Sequence, residues 1–276
     1  MKHALSTHLF VNHRLTTSWL ERLQHAGIES VEIFCARQHL DYTNRAQVAE
    51  LGHWFRDSEL KLQSLHSPIY TDDVWGRTGP NSIITITETV KAKRIQMVDE
   101  IKRAIELSEQ VPFRYLIQHL GVGGEEYEER KLDAAFSSLD ELGVFARQRG
   151  VEILLENIPN GLSSAERLAM FNAATHLNLN FCFDIGHAHM NEGVEAAFEI
   201  MKDRIRSTHI HDNNGTDDKH IWPLLGEGGT IDWPAAMRVL RSREGQYPLL
   251  LELKELPGRA HPVDDAAEIL ARLENL

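Results

Sequence analysis

The sequence predicts a (β/α)8 barrel, an eight-stranded parallel barrel ringed by helices. Three observations point there. Short apolar, β-branched runs alternate with amphipathic stretches from one end of the chain to the other, and strands that alternate with helices imply a parallel sheet. The alternation repeats eight times in 276 residues, the count that closes a barrel of about 250 residues. No Pro/Ser-rich linker separates two halves, so 1–276 reads as one domain. A doubly wound open sheet is the competing architecture for the same alternation.

Strand-like runs occur at Ala4–Phe10, Ser30–Cys35, Lys61–Ser67, Arg114–Leu120, Val151–Asn157, Asn180–Ile185, Arg206–His211 and Pro248–Lys254. Between them, apolar residues recur at three- and four-residue spacing over Trp19–Ala26, Val48–Ser58, Thr89–Leu107, Leu132–Arg149, Ala165–Ala174, Val194–Met201, Pro234–Leu240 and Ala266–Leu273, the spacing of one helix face. Gly27 and Gly150 stand where C-terminal caps belong. Ser163-Ser164-Ala165-Glu166 reads as a capping box opening the fifth helix. The charge run Glu125–Lys131 reads as a solvated helix start. The segment Ile69–Ser82, with Trp75, is a long loop after a strand, a common place for function.

Composition narrows the function classes. Formal net charge is −12, which disfavours nucleic acid as partner, because that binding rests on neutralising phosphates. No apolar run approaches the roughly 18 residues of a membrane span, and the N-terminus lacks the apolar region of a signal peptide. Cys35 and Cys182 both sit in apolar runs and read as buried, reduced thiols, which suits the cytoplasm. Barrels that leave apolar helix faces outside default to a homo-oligomer.

The most informative segment is Ser207–Asp232, STHIHDNNGTDDKHIWPLLGEGGTID. It carries His209, His211 and Asp212 at a strand end, then Asp218 and His220 in the following loop. Barrel chemistry sits at the C-terminal ends of strands, and other strands end comparably: His8 in STHLF, His66 in SLHSP, His119 in LIQHLG, Glu156 in LLENIP, Asp184 and then His187 in FCFDIGHAH, and Glu252 in LLLELKE. A single histidine at such a place is more often structural, and a single acid is more often a cap or a surface charge. The joint pattern differs. Glu156, Asp184 and Glu252 each follow at least three apolar residues, and buried ionised carboxylates need a cation. With His209 they make a four-ligand site for a divalent metal: Mn, Zn, Co or Mg.

These motifs resemble the xylose isomerase-like TIM barrel superfamily, which includes sugar isomerases and epimerases and also endonuclease IV. LLEN, FDIGH, HIHDN and GEGGTIDW carry the likeness, which spans nearly the whole chain. In the isomerases and epimerases the metal is held by a Glu, an Asp, a His and a second Glu, which map onto Glu156, Asp184, His209 and Glu252; His187 stands where a substrate contact falls. In endonuclease IV a larger set binds three zinc ions, and its pattern extends to His66, His119, His187 and the pair Asp218/His220. His211 departs from the nuclease, which has Asn there.

The resemblance implies a metal-dependent isomerase or epimerase of a small carbohydrate. Glu156 and Glu252 would move a proton beside a carbonyl through an enediolate stabilised by the metal. His187, His8 and His211 would contact substrate, and Trp75 and Trp222 would form an apolar wall. A multi-zinc phosphodiester hydrolase is the alternative. Nothing resembles a dedicated phosphate cradle, since Glu227 within Gly226–Gly229 would oppose a phosphate.

Overall fold

A computed structural model describes residues 1–226 and 228–276; Glu227, expected to oppose a phosphate, lies outside the described residues. Eight parallel strands form one sheet in the order β7-β6-β5-β4-β3-β2-β1-β8. They are β1 (His3–Ser6), β2 (Ser30–Phe34), β3 (Lys61–His66), β4 (Tyr115–His119), β5 (Glu152–Glu156), β6 (Asn180–Asp184), β7 (Ile205–His209) and β8 (Leu249–Leu251). The outer strands meet just past their ends. Ile210 pairs with Leu251, its N–H donating to the Leu250 carbonyl at 2.9 Å while Glu252 N–H donates back to Ile210 at 3.1 Å. That contact closes the barrel and excludes the open sheet.

All eight expected strands are present, but pairing stops earlier than the apolar runs do. β3 to β7 end on His66, His119, Glu156, Asp184 and His209, so the residues that could hold a metal mark where the ladder gives way to loops. The first run, Ala4–Phe10, divides after Ser6: Thr7–Phe10 is a 3-10 turn, and the Ser6 hydroxyl accepts the His8 N–H at 3.3 Å.

Nine helices surround the strands among the described residues: α1 (Thr17–His25), α2 (Arg45–Asp57), α3 (Lys91–Ile105), α4 (Glu129–Arg147), α5 (Ala165–Ala174), α6 (Ile185–Met190), α7 (Val194–Met201), α8 (Trp233–Arg241) and α9 (Pro262–Glu274). α6 was not expected, being too short to show a period. Gly27 and Gly150 have φ of 79° and 73°, as C-terminal caps require. The α5 cap falls one residue later than the capping box placed it, with Ser164 accepting the Arg167 N–H. The run Glu125–Lys131 is not simply solvated. Glu125 is largely buried, accepting the Val122 N–H at 2.8 Å and pairing with Lys131 at 3.2 Å, and α4 starts only at Glu129.

Strand alternation decides what lies inside. Ile153 and Leu155 of β5, Leu116 of β4, and Phe181 and Phe183 of β6 belong to the main core with the helices. Their alternates Leu154, Tyr115, Ile117 and Cys182 form a separate cluster within the barrel. Two residues beyond Leu154, Ile117 and Cys182, the same period delivers Glu156, His119 and Asp184 above that apolar plug. Both cysteines are free and buried; burial pushes each thiol upward, so neither is a reactive thiolate at neutral pH. No helix among the described residues is long and apolar enough to cross a membrane.

Candidate metal centre

Among the described residues, three groups of side chains at the C-terminal ends of the strands place ligand atoms within 4.8 Å of one another: Glu156, Asp184, His209 and Glu252; His66, His119 and Glu156; and His187, His211, Asp218 and His220. Glu156 belongs to two of them. In the central group, His209 Nδ1 lies 3.1 Å from Glu156 Oε1 and 3.2 Å from Glu252 Oε2, with Asp184 Oδ2 at 4.0 Å. All four side chains are buried.

A residue the sequence reading passed over sets the imidazole. Glu32, fully buried on β2, receives the His209 Nε2–H at 3.1 Å. Its other oxygen accepts the Ser64 hydroxyl at 2.8 Å. With Nε2 protonated for Glu32, Nδ1 presents its lone pair to the carboxylates. A carboxylate behind a histidine is the usual outer partner of a metal-bound imidazole. His209 Nδ1 and Glu156 Oε1 are buried with no hydrogen-bond partner, a costly arrangement that a cation between them removes. The donor set and these orphaned atoms fit a divalent ion.

The flanking groups repeat this logic. His66 donates Nδ1–H to the Ser67 carbonyl at 3.0 Å, leaving Nε2 3.6 Å from Glu156 Oε2, and His119 Nε2 is 3.1 Å from the same oxygen. His187 donates Nδ1–H to the Asn157 carbonyl at 2.9 Å, and His220 donates to the Glu252 carbonyl at 3.0 Å. A backbone carbonyl on one nitrogen fixes the tautomer and leaves the other free to coordinate.

The motif residues around the ligands hold the loops. Asn157 of LLEN donates to the Asp184 carbonyl at 2.8 Å and accepts the Asp184 N–H at 2.9 Å, extending the β5–β6 register past the last ladder pair. Asp184 also caps α6, accepting the His187 N–H at 2.7 Å. Asp212 of HIHDN accepts the Trp233 indole N–H at 2.7 Å and the Thr230 and Ile231 N–H groups at 3.1 and 3.2 Å. A Cβ at Gly229 would fall 2.3 Å from that carboxylate, so the GGTIDW pattern is what lets the turn close over β7.

The electrostatics match the geometry. Burial opposes a charge on His209, but Cys182, Glu252, Glu32 and Glu156 around it raise its pKa well above the usual imidazole value. On His187 burial is likewise outweighed, chiefly by Asp184. Burial would raise the Glu156 pKa, yet His209 and His119 hold it well below the usual carboxylate range. Ionised carboxylates in this pocket demand positive charge, whether protons on imidazoles or metal.

The other expected residues separate. His8 is buried beside the third group, its ring 5.0 Å from that of His220, with Nδ1 unpartnered; burial and then His220 push its pKa well below normal. Trp75 stands edge-on to His8 at 5.7 Å and 5.1 Å from Phe34, keeping a place at the edge of the site. Trp222 does not form a wall. It is 1% exposed within the main core, its Nε1–H donates to the Lys254 carbonyl at 2.9 Å, and Arg259 covers its ring. His211, expected to contact substrate, instead turns Nε2 to Asp184 at 3.1 Å.

A parallel (β/α)8 barrel with histidine and carboxylate clusters over its strand ends defines a class, and comparison gives the family. Residues 20–276 match the family described as Xylose isomerase-like TIM barrel, and the chain belongs to it. It is 30% identical over 241 residues to the uncharacterized protein MJ1311 of Methanocaldococcus jannaschii, covering 83% of this chain and 75% of that protein. Its fold is similar to that of a D-tagatose 3-epimerase-like protein (TM-score 0.77, 24% identity, 100% of this chain and 97% of the other). It is also similar to the IOLI protein, solved with a zinc atom (TM-score 0.73, 18% identity, 99% and 96% covered). At these identities the likeness to solved structures is one of fold.

Proposed function

We propose that this chain is a divalent-metal-dependent isomerase or epimerase of a small carbohydrate, with Glu156 and Glu252 as its acid/base pair. The carrying observation is that these glutamates come from β5 and the end of β8 and converge on His209 Nδ1 at 3.1 and 3.2 Å. A Mn, Zn, Co or Mg ion held by Glu156, Asp184, His209 and Glu252 would supply Lewis-acid polarisation of a substrate carbonyl. The protein's own part is positional. Two carboxylates flanking one carbon allow a proton to leave on one side and return on the other, which inverts that carbon; return to the neighbouring carbon isomerises. His119, with Nε2 3.1 Å from Glu156 Oε2, steadies that oxygen. His8 and Trp75 border the substrate. The family and the fold shared with a D-tagatose 3-epimerase-like protein support this reading.

A second reading, a phosphodiester hydrolase, is favoured by one observation: His66 and His119 both aim Nε2 at Glu156 Oε2. Metal ions shared through Glu156 would supply water activation and neutralise phosphate charge, and a bridging Glu156 could not serve as a base. The net charge of −12 opposes a polynucleotide substrate.

Turnover of a panel of ketoses in deuterium oxide separates the two. Solvent deuterium appears at the reacting carbon in the isomerase reading. Conversion without deuterium incorporation points to a hydride shift and sinks the enediolate step, whereas cleavage of a phosphodiester to a monoester and an alcohol that stops in His119→Asn gives the function to the second reading.

A further inference from the structure

We propose, resting on the isomerase or epimerase reading of the central group, that Lys254, with His8 and Trp75 beside it, holds a negatively charged end of the substrate, a carboxylate or a phosphate ester. The topology brings these residues together. β1 pairs with β8 with Leu5 opposite Leu251, and the two strands leave the sheet at the same end. His8 follows Leu5 by three residues and Lys254 follows Leu251 by three, so they emerge side by side at the mouth of the barrel. Lys254 stands two residues after Glu252, so a short sugar chain reaches from the proposed acid/base group to the ammonium.

Lys254 is exposed, yet its backbone is fixed. Its carbonyl accepts the indole N–H of the buried Trp222 at 2.9 Å, so the core holds the chain at this point. Its Nζ turns back over the loop after β7 and donates to the Asp218 carbonyl at 3.0 Å. Burial opposes a proton on His8 most, then His220, then the Lys254 charge. The same charge opposes a proton on His220, behind burial, so the ammonium stands close to both rings. Carboxylates crowd this end of the barrel, but the nearby ones face imidazoles. Asp218 lies 3.4 and 3.2 Å from His187 and His220, and Glu252 lies 3.2 Å from His209. Among the described residues the ammonium meets a carbonyl and no carboxylate. It carries three N–H donors, and that carbonyl uses one.

Two groups beside it also lack partners. His8 Nδ1 and Trp75 Nε1 are buried without a hydrogen bond, and their rings meet edge-on with centroids 5.7 Å apart. A buried polar atom left unpaired is costly. The indole and the ammonium can only donate, and a neutral imidazole can place its proton on the free nitrogen. What suits all three is a group with several acceptor oxygens and a negative charge. A carboxylate or a phosphate ester has both; a single hydroxyl has neither. Trp75 is carried by the loop Ile69–Ser82 and is tied down through its own N–H to Gln38 Oε1 at 2.9 Å. Lifting that loop uncovers both unpartnered atoms, and an anion seated between them and Lys254 satisfies them when it closes. Side chains, not a glycine-rich turn, then meet the charge.

Three probes without a carbonyl test this independently of turnover: xylitol, xylonate and xylitol 5-phosphate, titrated by calorimetry into the whole chain loaded with Mn2+. At least one of the two anions should bind about 10–100-fold more tightly than xylitol, the weight of a charge-assisted hydrogen bond. Whichever anion binds more tightly says whether the charged end is a carboxylate or a phosphate ester. Lys254→Met keeps the backbone carbonyl that Trp222 needs and should abolish the preference, while Lys254→Arg should keep most of it. Trp75→Phe removes only the indole N–H and should lose part of it; a preference unchanged there overturns the part given to the indole. Equal affinity for all three probes, or no measurable binding of either anion, overturns the subsite. So does a preference that survives Lys254→Met, since the anion would then sit on the metal. A preference that depends on Lys254 in a chain that incorporates no solvent deuterium into any ketose rejects the isomerase reading and leaves the subsite standing.

Discussion

His39 and His209 are both completely buried histidines, and the molecule treats them in opposite ways. His39, in the loop after β2, is surrounded by neutral partners. Its Nδ1–H donates to the His13 carbonyl at 2.6 Å, and its Nε2 accepts the Thr7 hydroxyl at 2.9 Å. That hydroxyl in turn accepts the Phe34 N–H at 3.0 Å. Every polar atom is satisfied, and burial lowers the pKa to about 4. His209, at the end of β7, has one nitrogen satisfied by Glu32 and the other orphaned among carboxylates, which raise its pKa well above normal against the burial. Exposure alone cannot tell a structural histidine from a ligand. What separates them is whether both nitrogens have neutral partners or one is left facing unbalanced negative charge.

The strongest way to break this comparison is to remove the negative charge on the ligand side. Glu156→Gln and Glu252→Gln each keep size and shape while deleting a proposed metal ligand and acid/base group. Turnover of the converted sugar should fall by about 10²–10⁴-fold or more, with circular dichroism unchanged and the central ion weakened. Retained turnover in both variants would sink the two-carboxylate mechanism. The same substitution of a residue beside His39 would find no carboxylate to remove.

A smaller effect is expected from Glu32→Gln, which keeps a hydrogen-bond acceptor for His209 but removes its charge. Affinity for the central ion should drop about 10–100-fold, read by competition with a chelator, and Glu32→Asp should recover part of it. Unchanged affinity in Glu32→Gln would make Glu32 a packing residue. Glu32 also marks the limit of what the chain discloses. Glu156, Asp184 and Glu252 were legible as a candidate group because each follows an apolar run at a strand end, where barrels do chemistry, and the structure brings them together with His209 at the end of β7. Glu32 sits inside one, in Ser30–Phe34, a strand buried at every position. The signal was there: a charge centred in a five-residue buried strand needs a partner. Its partner, His209, is 177 residues away, and only closure of the barrel brings them together. Trp222 misled for the converse reason. An aromatic beside a polar loop reads the same whether it faces ligand or core, and the bond to Lys254 that turns it inward is not written in its neighbourhood. Asp218 and His220 lie close in sequence and meet at 3.2 Å, but the space at Gly186 that admits the His211 ring against His220 is a property of the folded backbone.

The smallest effect tests the structural half of the comparison. Because the folded-state pKa of His39 lies at about 4, below the roughly 6.5 of an unfolded histidine, the unfolded chain binds a proton that the folded chain refuses. The contribution of His39 to stability is therefore full above the unfolded value and declines as pH falls from about 6.5 towards 4. Between pH 7 and 5.5 the decline amounts to about 1 kcal/mol. His39→Asn removes that titration, so urea unfolding of the variant should show a pH slope shallower by about that amount over this interval, whatever its absolute stability. The central histidines have the opposite sign, since their raised values in the metal-stripped chain add stability as pH falls through the folded pKa. An unchanged slope in His39→Asn would mean that His39 is charged in the fold and that the distinction between the two buried histidines fails.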